Sequence, residues 1–242
     1  MRLPRLRAFL ERRQPDIVCL QETKVPDEQF PGHALRPLGY HVLVSGEKTY
    51  NGVAVLSRAP GTDTITALPG DDPQRRLLVT SVEGLRVVNV YAPNGTAVGT
   101  DKYAYKLDWY RRLREYLDGA LDPGREVILC GDLNIAPEER DVWDPEQWRD
   151  RVMFSEPERE QFRALLQWGF ADSLRLHRPD EGGLYTWWDY RAGAFHRGWG
   201  LRIDHILLSA PLARRCAEVE IDRNERKGTL PSDHAPVVAT LT

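Results

Sequence analysis

Asp132 and Asn134 stand in Gly131-Asp132-Leu133-Asn134-Ile135-Ala136-Pro137, directly after the apolar run Val127-Ile128-Leu129-Cys130. The run reads as a buried strand. Strand side chains alternate faces, so a carboxylate and a carboxamide one residue apart point the same way while Leu133 points opposite. Two polar groups then converge on one spot. The plain alternative is a turn, because Gly, Asp, Asn and Pro end strands and open loops.

The same kind of ending recurs in Leu20-Gln21-Glu22, Val90-Tyr91-Ala92-Pro93-Asn94, Arg202-Ile203-Asp204-His205 and Ser232-Asp233-His234. If these strand ends meet at one rim, several carboxylates crowd a small volume, which is unfavourable unless a cation or shared protons offset the repulsion. An oxygen-rich donor set suits Mg²⁺ or Mn²⁺ better than zinc. The sequence holds no HExxH, paired CxxC or Walker loop that would point to another chemistry.

Elements must position these groups. Leu3, Leu6, Phe9 and Leu10 recur at helical spacing, so the Arg-rich start is read as an inward-packing helix rather than a transit peptide. Asp16 to Leu20 forms a short buried strand. "YHVLVSG" and "GVAVLSR" flank a segment with Asn51-Gly52, and "LLVTSV" and "LRVVNVYAP" flank Glu83-Gly84; both are hairpin signals. Leu107, Tyr110, Leu113 and Leu117 set a helical stripe ahead of the Val127 strand. Ser155-Glu156-Pro157-Glu158 is a capping box opening a helix through Phe162, Leu165 and Leu166 that Gly169 closes. "YTWW", "RIDHILL" and "PVVATL" return to short strands. Hairpins interspersed with helices, without strict βαβ alternation, predict two mainly antiparallel sheets packed as a sandwich with helices outside.

The 242 residues are 41% hydrophobic and 29% charged with a formal net charge of −3, a composition that fits one large domain and excludes a histone-like basic surface. Any nucleic-acid contact must come from a local patch. Cys19 and Cys130 lie in apolar runs and Cys216 is the third cysteine, which predicts free thiols in a reducing, cytoplasmic setting. No stretch approaches the ~18 apolar residues of a membrane span, and no signal-peptide core is visible, so a soluble protein is expected.

"LQETK", "NGVAVLSR", "VNVYAPNG", "GDLNIAP", "WWDYR…RIDHILLS" and "SDHAPV", in this order across essentially the whole chain, resemble the exodeoxyribonuclease III family of apurinic/apyrimidinic endonucleases, within the endonuclease/exonuclease/phosphatase superfamily. The resemblance implies a four-layered α/β sandwich as a single catalytic domain. It implies Mg²⁺-dependent hydrolysis of the phosphodiester 5′ to abasic sites in duplex DNA, with 3′-to-5′ exonuclease and end-trimming activity by a monomer. On the matched positions, Glu22 is the metal-binding glutamate. Asp132 activates the attacking water or protonates the leaving oxygen, and Asn134 orients it or stabilises the transition state, both beside the metal. His234 faces the scissile phosphate with Asp204 on its other ring nitrogen, and Asp233 supports the metal region. Tyr91 and Asn94 contact phosphate oxygens. Trp187, Leu201 and Ile203 line a pocket for the base-free deoxyribose, with Trp188 in the core. Arg191 and Arg202 contact the DNA backbone, and Lys24 and Lys102 are weaker cases of the same kind.

Members of that family begin with a strand that supplies a metal-site asparagine. This sequence opens at Met1-Arg2-Leu3-Pro4, already in the helix that follows, so an absent first strand is expected. Two rivals remain: a phosphatase for inositol lipids or another phosphoester within the same superfamily, and a non-catalytic binder of damaged DNA. The Trp-Trp-Asp-Tyr-Arg and Arg-Ile-Asp-His-Ile segments count against the first, and Mg²⁺-dependent incision of an abasic duplex separates all three readings.

Overall fold

The computed structural model describes residues 2–70 and 72–242. Their contacts gather into two compact units, Met1–Tyr91 with Ile128–Gly131, and Ala92–Val127 with Asp132–Thr242. Both are mixed α/β with antiparallel sheets, the class expected from the alternation of hairpins and helices.

In the first unit, helix α1 (Leu3–Arg13) buries Phe9 and Leu10 and ends at Gln14, whose backbone turns left-handed. Strand β1 (Ile17–Gln21) and strand β2 (His41–Ser45) flank strand β3 (Val53–Ser57), antiparallel on both sides. β3 is buried throughout because it is the middle strand, whereas β1 lies at an edge of this sheet of described residues. The Asn51-Gly52 signal sits in the β2–β3 connection as expected. Gly52 has φ +90, and a Cβ there would lie 2.1 Å from Thr23 Oγ1. Glycine at this position therefore lets the segment after β1 lie close, with Thr23 N–H bonded to Gly52 O at 3.1 Å.

Strands β4 (Thr62–Ile65), β5 (Leu77–Val82) and β6 (Leu85–Tyr91) form an antiparallel meander. Between the last two, Glu83 and Gly84 both have positive φ, 48° and 87°, the pair of left-handed residues a two-residue type I′ hairpin needs. Asn89 ties this meander to the first sheet from a fully buried position. It accepts from Gln21 Nε2 at 2.7 Å and donates to Leu20 O at 3.1 Å and Ala54 O at 2.9 Å. Strand β7 (Val127–Asp132) returns the chain to this unit for Ile128–Gly131 and leaves it at Asp132.

The second unit is built on helix α2 (Asp101–Ala120), capped by Thr100, whose hydroxyl accepts from Tyr103 N–H. Its buried face is Tyr103, Lys106, Trp109, Tyr110, Leu113, Tyr116 and Leu117. The expected stripe is thus rotated at its start: Leu107 is only half-buried and a lysine takes the inward position. After the short helix α3 (Pro145–Trp148), helix α4 (Glu156–Trp168) begins at the expected capping box and stops at Gly169, with φ +125. Strand β8 (Phe170–Asp172) is followed by β9 (Trp187–Trp188), β10 (Gly200–Leu201), β11 (Asp204–Ser209), β12 (Cys216–Ile221) and β13 (Val237–Leu241). They pair antiparallel as β8 with β11, β9 with β10, and β12 with β13.

Arg202 corrects one expectation. Its guanidinium is buried, with Nε and Nη2 on Asp141 at 2.6 and 3.1 Å and Nη1 on Asp172 at 2.8 Å. Two carboxylates from separate elements neutralise it inside the fold, and no donor face is left for a DNA phosphate. Beside it, burial and the Arg202 charge push the His205 imidazole down to about 4. His205 therefore stays neutral, donating from Nε2 to Ile135 O at 2.9 Å and accepting from Arg202 at Nδ1. Among the described residues, no helix is long and apolar enough to cross a membrane. The cysteines Cys19, Cys130 and Cys216 are free thiols.

Candidate active site

Asp132 closes β7, and Asn134, two residues on, adopts φ +50. The two side chains do converge, but a left-handed turn brings them together rather than the alternation of a continuing strand. Leu133 points away into the core, fully buried, while its N–H bonds Ile203 O at 2.9 Å. Asn tolerates the left-handed region better than most side chains. Here it gains local bonds: Asn134 N–H donates to Asp132 Oδ1 at 2.9 Å and Asn134 Nδ2 to Asp132 Oδ2 at 3.1 Å. Both oxygens of Asp132 are thereby fixed in one orientation.

Both amide hydrogens of Asn134 are engaged, and its oxygen accepts one bond. Nδ2 also donates to Ala92 O at 2.9 Å, and Oδ1 accepts from Asn94 Nδ2 at 3.1 Å. Asn94 in turn accepts Thr96 N–H at 3.0 Å and remains exposed. In this arrangement Asn134 bonds both oxygens of Asp132, and both of its amide hydrogens are taken.

Asp204 opens β11, where Thr186 Oγ1 accepts the N–H groups of both Ile203 and Asp204 at 3.0 and 3.1 Å and so sets the start of the strand. Its carboxylate faces His234 Nδ1 with both oxygens, at 3.0 and 2.9 Å. Burial opposes charge on His234. The Asp204 charge and hydrogen bond, with Asp132 and Asp233 behind them, more than reverse that and push the imidazole up to about 10. With no metal ion among these carboxylates, they favour the imidazolium form of His234. Asp132, Asp204 and His234 bring one ligand atom each within 4.8 Å of one another, a group that could hold a metal ion.

Asp233 sits next to this trio in sequence but serves another partner. Its Oδ2 accepts Trp187 Nε1 at 3.2 Å and its Oδ1 accepts the Tyr190 hydroxyl at 3.3 Å. Trp187 is half-buried and packs on a cluster containing the fully buried Leu201 and Ile203. Trp188 is core, as expected, with no exposed surface. Leu201 and Ile203 thus support Trp187 from beneath, and Trp187 is the member of that pocket set with surface to offer. Arg191 is exposed.

In the first unit, Glu22 follows β1 with φ +54 and an exposed side chain. Its Oε1 accepts the Tyr91 phenol and its Oε2 meets Lys24 Nζ at 2.8 Å. Lys24 is therefore paired to Glu22, and Tyr91 reaches that carboxylate. Arg76 stacks over the Tyr91 ring at 4.8 Å and donates to its carbonyl at 3.1 Å. A carboxylate held between a phenol and an ammonium is an acceptor for positive charge, and its hard oxygens are donors that Mg²⁺ or Mn²⁺ takes.

Sequence reading missed Lys106, which lies behind Asn134 with no exposed surface. A signal existed: Tyr103, Lys106, Tyr110, Leu113 and Leu117 follow the three- and four-residue steps of a buried stripe, and a lysine in such a stripe must find partners inside.

The family model described as the Endonuclease/Exonuclease/phosphatase family matches residues 2–234. The chain is 36% identical to exodeoxyribonuclease III of Haemophilus influenzae, over 97% of this chain and 92% of that protein. It is 37% identical to an exodeoxyribonuclease of Bacillus subtilis, over 95% of this chain and 89% of that one. Among solved structures, a 3′ phosphatase from Neisseria bound to a product DNA hairpin superposes with a TM-score of 0.96 at 43% identity, covering 100% of this chain and 94% of that one. An AP endonuclease from Archaeoglobus fulgidus superposes with a TM-score of 0.94 at 40% identity, over 97% and 91% of the two chains. On this match and on the carboxylate, amide and imidazole groups that the fold gathers, the chain belongs to the endonuclease/exonuclease/phosphatase family.

Proposed function

We propose that this chain is a DNA-repair phosphodiesterase that hydrolyses the phosphodiester 5′ to abasic sites in duplex DNA and trims 3′ ends, acting as a monomer. The observation that carries this reading is the Asp204–His234 pair with Asp132 in the same 4.8 Å cluster. One group there is a fixed carboxylate and the other a cation. Asp132 accepts a proton from the attacking water, Asn134 keeps its oxygens aimed, and the His234 imidazolium faces the phosphate and stabilises the charge that develops on it. The new bond is water oxygen to phosphorus. The bond broken runs from phosphorus to the 3′ oxygen of the upstream nucleotide, which leaves as a 3′-hydroxyl on taking a proton from solvent water, while the proton held by Asp132 returns to solvent.

In the second unit, Asp132 and the Asn134 carboxamide oxygen are the groups we propose for metal binding, with Asp233 in support through Trp187 and Tyr190; in the first unit, Glu22 is the carboxylate we propose for metal binding. The ion would be Mg²⁺ or Mn²⁺, chosen for the oxygen donors, and when bound it would offset charge on the phosphate. Tyr91 fixes the Glu22 carboxylate, Asn94 is exposed to meet a phosphate oxygen, and Arg191 is placed on the surface for the DNA backbone. The test is a labelled duplex carrying one abasic site, incubated with Mg²⁺ and with chelator. A 3′-hydroxyl product that appears only with metal supports the reading. Binding without cleavage under both conditions replaces it with the non-catalytic one, and hydrolysis of an inositol phosphate in preference to DNA replaces it with the lipid phosphatase.

Trp187, half-buried over Leu201 and Ile203, is the proposed wall against which a flipped sugar without its base rests. Trp187→Ala is expected to lower kcat/KM on the abasic duplex about tenfold, in line with ~1.5–3 kcal/mol for an apolar side-chain contact buried from water. Affinity for an undamaged duplex should change less than twofold. Parallel incision and fluorescence-anisotropy measurements check it, and equal losses on both would make Trp187 a core residue only.

A further inference from the structure

Lys106 and Glu158 form an ion pair with no exposed surface on either side chain. Such a pair is weak evidence for stability, because apolar residues of similar volume often do as well once the desolvation of two charges is counted. Something other than stability must be served by putting an ammonium there. Its remaining bonds show what: Lys106 Nζ donates to Asn134 O at 2.7 Å and to Asn94 O at 3.1 Å. The three hydrogens of the ammonium are thus used by three oxygens. Two of them are main-chain carbonyls, one of Asn134, which holds Asp132, and one of Asn94, whose side chain bonds Asn134 Oδ1.

The rest of the network fixes the ammonium itself. Glu158 accepts from Met153 N–H at 2.9 Å and Ser155 N–H at 3.1 Å, and Ser155 Oγ meets both Glu158 and the Tyr103 hydroxyl at 2.6 Å. One turn along α2, the Tyr110 hydroxyl donates to Leu133 O. Ala92 O is taken by Asn134 itself. Every carbonyl around the left-handed turn at Asn134 is therefore held, two of them by Lys106.

We propose that Lys106 is a positioning residue for hydrolysis: it pins the backbone of Asn94 and Asn134, and through Asn134 it sets the orientation of the Asp132 carboxylate. The inference rests on the reading of Asp132 and Asn134 as part of the hydrolytic site. A methionine would fill the space of the lysine stem while leaving the buried Asn134 carbonyl and the part-buried Asn94 carbonyl without that donor, so the turn would be free to relax and Asn134 would lose its hold. Burial lowers the pKa of the ammonium below that of a free lysine, and Glu158, with Asp132 beyond, offsets part of that pressure. Positioning of this kind acts on kcat rather than on substrate affinity.

The experiment replaces both charges at once, Lys106→Met with Glu158→Gln, so that no lone charge is buried and the glutamine can still cap α4. On the abasic duplex we expect kcat to fall 30-fold or more with KM within threefold. In an Asn134→Ala background the same pair of changes should cost less than threefold, because what Lys106 positions is already gone. Amide exchange at Asn134 N–H should accelerate at least tenfold, with Leu133 N–H unchanged. The milder Lys106→Gln with Glu158→Gln, whose amide still serves one carbonyl, should give a smaller loss of the same kind and stands in if the first variant does not fold. A kcat within twofold of the parent, or losses that multiply fully with Asn134→Ala, overturns the inference. If the parent does not cleave DNA, the functional reading fails and exchange at Asn134 alone decides: acceleration supports the positioning role and no change overturns it.

Discussion

Asp132→Asn is expected to lower abasic-site incision by 10²-fold or more in kcat while leaving KM within a few-fold. The carboxylate is buried, and its two oxygens are held by Asn134 N–H and Nδ2. An amide in its place keeps the size and the bond to Asn134 N–H, but it cannot take a proton from water. It also sets one NH₂ against the Nδ2 of Asn134, and Asn134 cannot flip because Asn94 and Ala92 engage its other positions. A local loss on the order of 1 kcal/mol follows from that lost bond, too little to unfold a domain. Removal of one preorganised group at a transition state typically costs 10²–10³-fold, so the chemical effect dominates. Single-turnover incision with saturating enzyme, together with thermal melts of both proteins, separates the two effects. A variant that keeps more than a tenth of the parent rate would take Asp132 out of proton transfer.

The convergence of Asp132 and Asn134 could be read from their spacing, yet the reason given by strand alternation was incomplete. Alternation holds as far as Asp132; beyond it a positive φ at Asn134 takes over, and no single-residue pattern distinguishes the two when the residue is Asn. Turn chemistry was legible where glycine or a capping box announced it, at Glu83-Gly84 and at Ser155 to Glu158, because those depend on a few adjacent residues. Partnerships over long sequence separations were not legible. Arg202 reads as a surface cation beside a nucleic-acid motif, but Asp141 and Asp172 draw it inside. Lys106 reads as one more charge on a helix, and its three oxygen partners lie 12, 28 and 52 residues away. The sequence shows which residues can do chemistry; which of them are spent on one another is decided by packing.

Asp204→Asn should convert His234 from a cation to a neutral ring at physiological pH. In the parent, burial works against the charge, and Asp204 overcomes it to raise the imidazole to about 10. Without that carboxylate the burial is left facing only the more distant Asp132 and Asp233, so the ring should titrate several units lower. The sign of the linked stability follows. A histidine near 6.5 when unfolded and about 10 when folded contributes fully below pH 6.5, and the contribution fades as pH rises through 10. In chelator, where no metal competes for the same carboxylates, the parent should therefore lose roughly 2–5 kcal/mol of stability between pH 6.5 and 10 that Asp204→Asn does not lose. The variant should already be the less stable protein at pH 6, and the two curves should approach each other in alkali. Incision at pH 7.5 should drop on the order of 10²-fold, because the imidazolium that faces the developing charge is replaced by a neutral ring. Denaturant melts across this pH range and ¹⁵N shifts of the His234 ring measure both halves of the claim. A parent ring that titrates near 6.5, or identical pH slopes in the two proteins, would show that Asp204 orients His234 without charging it.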